Sequence, residues 1–90
     1  MPESKPRATF SGKSVVKDPV RIGEIVRQVR KDSNLTQQEA AALCKVGARF
    51  MSDLENGKPT LRLGKVLHVL ACLGLTTIVK RKELSDERDA

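Results

Sequence analysis

The 90-residue sequence contains neither tryptophan nor tyrosine, and only two phenylalanines. A core of this size is only marginally self-sufficient, and one with so little aromatic mass would benefit from burying a dimer interface. No apolar run approaches the roughly 20 residues that a membrane-spanning helix needs, so no membrane partner is expected. One histidine and two cysteines, too few ligands for a four-coordinate centre, do not make a metal site. There is no nucleophile elbow, no phosphate-binding glycine loop and no pair of carboxylates with a plausible site. An enzyme is therefore the least expected class, and no cofactor is implied. No signal-peptide pattern is present. Cys44 and Cys72, each on an apolar helical face, are accordingly expected as reduced core residues of a cytoplasmic protein rather than as a disulfide. Internal repeats and low-complexity segments are also absent.

What the sequence does have is positive charge. Seventeen Lys and Arg against 11 Asp and Glu give a formal charge of +6 and a pI near 9.8. That balance favours a polyanion, nucleic acid before membrane, although solubility alone would account for it equally well. Where the charges fall decides between the two.

The stretch Leu35 to Gly57, LTQQEAAALCKVGARFMSDLENG, reads as two short helices joined by a tight turn. Thr36-Gln37-Gln38-Glu39 is a capping box: Thr36 can accept from the Glu39 N–H while Glu39 reaches back to the N–H of Thr36. Ala40, Ala41 and Ala42 make the first helix small-sided, so a neighbour can approach closely. Lys45-Val46-Gly47 turns the chain, and Gly47 can cap a second helix running from about Ala48 to Asn56, with Gly57 beyond its end. Two helices joined this closely cross steeply, as in a helix-turn-helix.

The flanks supply two more helices. Asp18 is a good N-cap with Pro19 at the first helical position, Ile22, Ile25, Val26 and Val29 form one apolar stripe, and Asn34 can take the left-handed conformation that ends it. A fourth helix is expected after Pro59 with Thr60 as N-cap. It carries Leu63, Val66, Leu67, Leu70 and Leu73 inward and ends at Gly74. His68 falls off that stripe and reads as a surface or interface residue rather than a catalytic base. Beyond it, Thr76, Thr77, Ile78, Val79 and Lys80 have the β-branched content of a strand. A lone strand leaves unpaired backbone groups, and pairing with its copy in a second subunit around a twofold axis removes them; a disordered tail is the alternative.

With these features in place, the chain from about Val20 to Leu75 resembles the Cro/C1-type (Xre) helix-turn-helix family. LTQQE and DLENGK at this separation carry that likeness, and within the family the chain is most like HipB-type antitoxin regulators, on the strength of VGARFMSDLENGKPTLRLGKVLHVLACLGL followed by a short strand. The resemblance implies an all-α, lambda repressor-like helical bundle, with the C-terminal strands forming an intersubunit ribbon. It pairs Arg30 with Glu55 to buttress helix 1 against helix 3, and places Gln37, Asn56 and Lys58 at the DNA backbone. It also implies autoregulation of an operon and a HipA-like serine/threonine kinase toxin as partner. The chain departs from the family pattern at Lys45, where glycine is usual, and at Ala40, where a larger aliphatic is usual. A non-glycine residue held at positive φ costs roughly 1 kcal/mol, so the turn is expected to be slightly strained.

The second helix of the motif sorts its own faces. Met51 and Leu54 point to the core with Phe50 bordering it, which turns Ala48, Arg49, Ser52 and Asp53 outward. Arg49 suits guanine O6 and N7 or a phosphate, Ala48 a thymine methyl, and Ser52 either kind of contact. Asp53 can accept from cytosine N4, repel wrong sequences or orient Arg49. The bland alternative is an ordinary solvated face. Exposed N–H groups at the start of helix 2, supplemented by Thr36 and Gln37, would hold phosphate, with Gln38 and Lys45 as weaker candidates, and Gly47 at the turn is counted among the DNA-binding residues.

The expected organisation is a basic N-terminal arm over 1–17, a DNA-binding domain over 18–75, a dimerisation strand over 76–82 and a charged tail over 83–90. Lys5, Arg7, Lys13 and Lys17 of the arm could add phosphate contacts, and Phe10, Val15 and Val16 could dock or pair as a strand. The leading expectation is a homodimeric repressor that binds double-stranded DNA at an inverted-repeat operator. The alternatives are a stand-alone Xre regulator without a toxin, and a protein-interaction module with vestigial DNA binding.

Overall fold

A computed structural model describes residues 13–82. The outer parts of the expected arm and tail, 1–12 and 83–90, with Lys5, Arg7 and Phe10, lie outside the described residues. Four helices follow in order: α1 (Pro19–Asp32), α2 (Gln37–Cys44), α3 (Ala48–Glu55) and α4 (Leu63–Cys72). None of them is long and apolar enough to cross a membrane.

Local chemistry explains most boundaries. The Asp18 carboxylate accepts from the Arg21 N–H at 3.0 Å, with Pro19 in the first turn. Both halves of the capping box form at α2: Glu39 N–H to Thr36 Oγ1 at 3.0 Å, and Thr36 N–H to Glu39 Oε1 at 2.8 Å. Asn34 (φ 60°) ends α1, and Lys45 (φ 60°) ends α2 where a glycine would be unstrained. Gly57 (φ 79°) and Gly74 (φ 86°) follow α3 and α4 in the same left-handed conformation.

The core is made of Val26, Ala40, Ala41, Cys44, Met51, Leu54, Val66 and Val69, with Ile22, Leu35, Phe50, Leu61 and Leu70 packed at its margin. Ala40 and Ala41 are both buried, so the core-facing side of α2 carries little side chain. On the other side, α1 meets α3 at Gly23. A Cβ there would stand 2.5 Å from the Leu54 carbonyl oxygen and 2.6 Å from that of Glu55, both backbone atoms.

The sequence reading needs correction at two places. First, α4 starts at Leu63 with Arg62 as N-cap, two residues after the expected cap at Thr60. Leu61, just before that cap, packs on the core margin. Of the expected inward row, Val66 is buried and Leu70 and Leu73 pack against the core, whereas Leu63 (67% exposed) and Leu67 (41%) face outward; Val69, outside that row, is fully buried.

Second, Cys44 and Cys72 are joined as a disulfide, with their Cα atoms 5.8 Å apart. The two sit at the last residues of α2 and α4, an end-to-end meeting that periodicity within either helix does not reveal.

Residues 76–82 are non-helical and exposed, with Ile78 at 70% and Val79 at 94%, and no strand forms among the described residues of this single chain; the expected pairing is with a second subunit. Residues 13–17 likewise form no strand. Val15 and Val16 are exposed, and the segment is tied to α1 where Ser14 Oγ accepts from Arg21 Nε (3.1 Å) and Nη2 (2.9 Å).

Candidate DNA-binding interface

The site is held by one arginine. Arg30, near the end of α1, donates from Nε to Glu55 Oε2 at 2.6 Å and from Nη2 to Glu55 Oε1 at 3.0 Å, a bidentate pair between α1 and α3. Its third donor, Nη1, reaches the Leu35 carbonyl oxygen at 2.7 Å, just before the cap of α2. A single guanidinium thus fixes all three helices that surround the turn. Both side chains are almost wholly buried, Arg30 at 9% and Glu55 at 1% exposure. Hydrogen bonding to the Glu55 carboxylate outweighs the opposing effect of burial and holds the Arg30 guanidinium above its ordinary pKa. Through Arg30's own ionisation, this contribution is fully present below arginine's ordinary pKa and is lost only as the pH rises through the raised one.

Gln37 joins the same network. Its amide nitrogen donates to Glu55 Oε1 at 3.0 Å, so this side chain lies half-buried over the ion pair rather than standing free. The sequence assigned it only an outward role. The signal that could have found the contact is its position at the first residue of α2, directly over the helix that carries Glu55. One amide hydrogen remains for an outside acceptor. Thr36 and Gln38, on either side of it, are exposed.

On α3, Met51 and Leu54 are buried and Phe50 is half-buried, with Lys65 Nζ 5.5 Å from its ring centre. Ala48 and Arg49 stand exposed, the Arg49 side chain at 89%, while Ser52 and Asp53 are half-buried on the flank. Asp53 Oδ2 lies 3.7 Å from Arg49 Nε and 3.6 Å from Lys58 Nζ. The carboxylate thus sits between the candidate base reader and the candidate phosphate holder. Asn56 and Lys58 are exposed in the loop after α3, and Gly47 is exposed at the turn with open space around it.

Among the described residues, no group of three or more His, Cys, Asp and Glu is placed to hold a metal. His68 is exposed, as expected of an off-stripe position, but its ring makes a contact the sequence did not suggest: Nε2 lies 2.7 Å from the Cys44 carbonyl oxygen.

A short α2, a tight left-handed turn and an α3 with one bare polar face, all clamped to α1 by a buried ion pair, define a helix-turn-helix. The chain belongs to the helix-turn-helix family of DNA-binding transcriptional regulators, and the family's helix-turn-helix domain model matches residues 21–84. It is 56% identical, over 59 residues, to the uncharacterized HTH-type transcriptional regulator y4mF of Sinorhizobium fredii; the match covers 66% of this chain and 78% of that protein. Among solved structures it is similar to chains of the HipA-HipB-O2-O3 complex and of the HipB-O4 20mer complex. Each matches at a TM-score of 0.70 and 20% identity, covering 79% of this chain and 100% of the other. At that identity the likeness is one of fold, and the fold is HipB-like.

Proposed function

We propose that the protein acts as a homodimeric, cytoplasmic repressor of its own operon, the HipB-like antitoxin partner of a HipA-like serine/threonine kinase. The observation that carries the DNA-reading part is the bare face of α3, with Arg49 exposed at its start and the helix locked from behind by Arg30 and Glu55. In this reading each subunit of the dimer lays α3 in a major groove. Arg49, Ala48, Ser52 and Asp53 meet base edges, while the start of α2 with Thr36, Gln37 and Gln38, the Gly47 turn, and Asn56 with Lys58 hold phosphate. The two half-sites then lie about one helical turn apart, roughly 34–36 Å.

The dimer is supported by apolar surface left uncovered on one chain: Leu63 and Leu67 on α4, and Ile78 and Val79 beyond it. Pairing of residues 76–82 with their copy in the second subunit would give their backbone groups partners. The antitoxin part rests on fold likeness to HipB, one of whose solved complexes contains HipA.

A stand-alone regulator is favoured by a different observation. The relative at 56% identity bears the name of a transcriptional regulator and no toxin. Purification of the natively expressed protein, with its companions identified by mass spectrometry, separates the two. A stoichiometric kinase-like companion supports the antitoxin reading. Promoter DNA without a protein companion supports the stand-alone one. Weak binding that is indifferent to DNA sequence would favour an interaction module instead.

A further inference from the structure

Cys44 is the last residue of α2 and Cys72 the last of α4, 28 positions apart, and the segment between them holds the turn, all of α3 and nearly all of α4. One turn before Cys72, His68 meets the Cys44 carbonyl oxygen, so the same two helix ends share one covalent bond and one hydrogen bond. Elsewhere α4 is held by Val66 and Val69, with Leu70 at the core margin, and its Leu63 and Leu67 contribute little to this chain's core.

We propose that Cys44 and Cys72 form a reversible thiol–disulfide couple that sets how firmly α4 is clasped to the helix-turn-helix. A regulator that works on DNA does so among low-molecular-weight thiols, where a lasting disulfide is exceptional and one that forms is usually transient and redox-sensing. That step rests on the DNA-binding assignment but not on a toxin partner. The Cα separation of 5.8 Å lies within the range that lets the bond close without moving the backbone.

The exchange balances with a small-molecule disulfide such as oxidised glutathione. Cys44 is 1% exposed, whereas Cys72 is half-buried, so Cys72 is the sulfur that a small reagent reaches. The Cys72 thiolate attacks one sulfur of the oxidant and releases the first glutathione. The Cys44 thiolate then attacks Cys72 Sγ in the mixed disulfide and releases the second. Two electrons pass from the protein to the oxidant, and the two protons given up by the cysteines end on the two glutathione thiols. Reduction runs the same path backwards, with external thiolate attacking Cys72 Sγ and Cys44 departing. Opening the bond frees the far end of α4 and the exposed segment after it. The α1–α3 unit stays fixed by Arg30 and Glu55.

The test equilibrates the full chain in glutathione buffers of graded reduced-to-oxidised ratio, quenches with acid, labels free thiols with N-ethylmaleimide and weighs the product. Parallel samples are melted thermally and titrated with the protein's own promoter DNA. The expected result is a two-electron transition between two labels and none. The oxidised form should melt higher by on the order of 10 °C and bind DNA more tightly, and Cys72→Ser should abolish both differences. Two labels at every ratio, no labels at any ratio, or a change of label with an unchanged melting temperature would each overturn the couple. Failure to bind DNA in either redox state would count against the DNA-binding assignment instead, with labelling and melting still deciding the couple.

Discussion

Arg49 and Asp53 stand one helical turn apart on α3, and Asp53 also faces Lys58 in the following loop. Both separations, 3.7 and 3.6 Å, are too long for strong hydrogen bonds, and the Arg49 side chain is almost entirely in solvent. Pairs of this kind contribute little to stability, so the arrangement leaves Arg49 available to an outside acceptor. Arg49→Ala should weaken binding to the cognate site by about 1–3 kcal/mol and relax base preference at one position. Fluorescence-anisotropy titrations against cognate and scrambled duplexes check this; an equal loss on both would place Arg49 on phosphate. Glu55 is the opposite case, a buried acceptor serving Arg30 and Gln37 together. Glu55→Ala strands a buried guanidinium and should cost about 3–5 kcal/mol in urea unfolding. A cost below about 1 kcal/mol would mean that water reaches Arg30 and that the clamp is weaker than its geometry.

At the scale of elements, the closeness of α1 to α3 depends on Gly23 having no side chain. Gly23→Ala would press a methyl group into two backbone carbonyls that cannot swing aside. It should destabilise by about 2 kcal/mol or more, with an unfolding midpoint well below wild type. The sequence held the caps of α1 and α2, the left-handed residues at Asn34, Gly57 and Gly74, and the inward placing of Met51 and Leu54, because each depends on residues a few positions apart. The importance of Gly23 was not legible in the same way, since the atoms that forbid a Cβ lie on another helix more than thirty residues away. The disulfide escaped for the same reason. In α4, apolar residues at 63, 66, 67, 69, 70 and 73 cover most of the circumference, so spacing alone could not say which line faced inward. The observed choice, valines in and two leucines out, makes sense if a second subunit covers the leucines.

For the candidate site the local signals sufficed to put Ala48 and Arg49 on an open face and the capping box beneath them. They did not show that Gln37 is already committed to Glu55, or that Asp53 stands between two cations, because those contacts join different elements.

For the whole molecule, the proposed dimer would join two copies along α4 and the segment after it, covering the exposed leucines, and a net charge of +6 suits it to a polyanion. Ending the chain after Leu75 should shift the protein towards monomer in light-scattering measurements at micromolar concentration. Affinity for a two-half-site duplex should fall steeply, while the four-helix circular dichroism remains. If the shortened chain stays dimeric, α4 carries the interface without residues 76–82. The most direct test of the account is a footprint of the protein on its own promoter. The account predicts protection of two related half-sites centred about 34–36 Å apart, lost on scrambled sequence and shrinking to general phosphate protection in Arg49→Ala. Uniform protection with no preferred site, unchanged by that substitution, would contradict it.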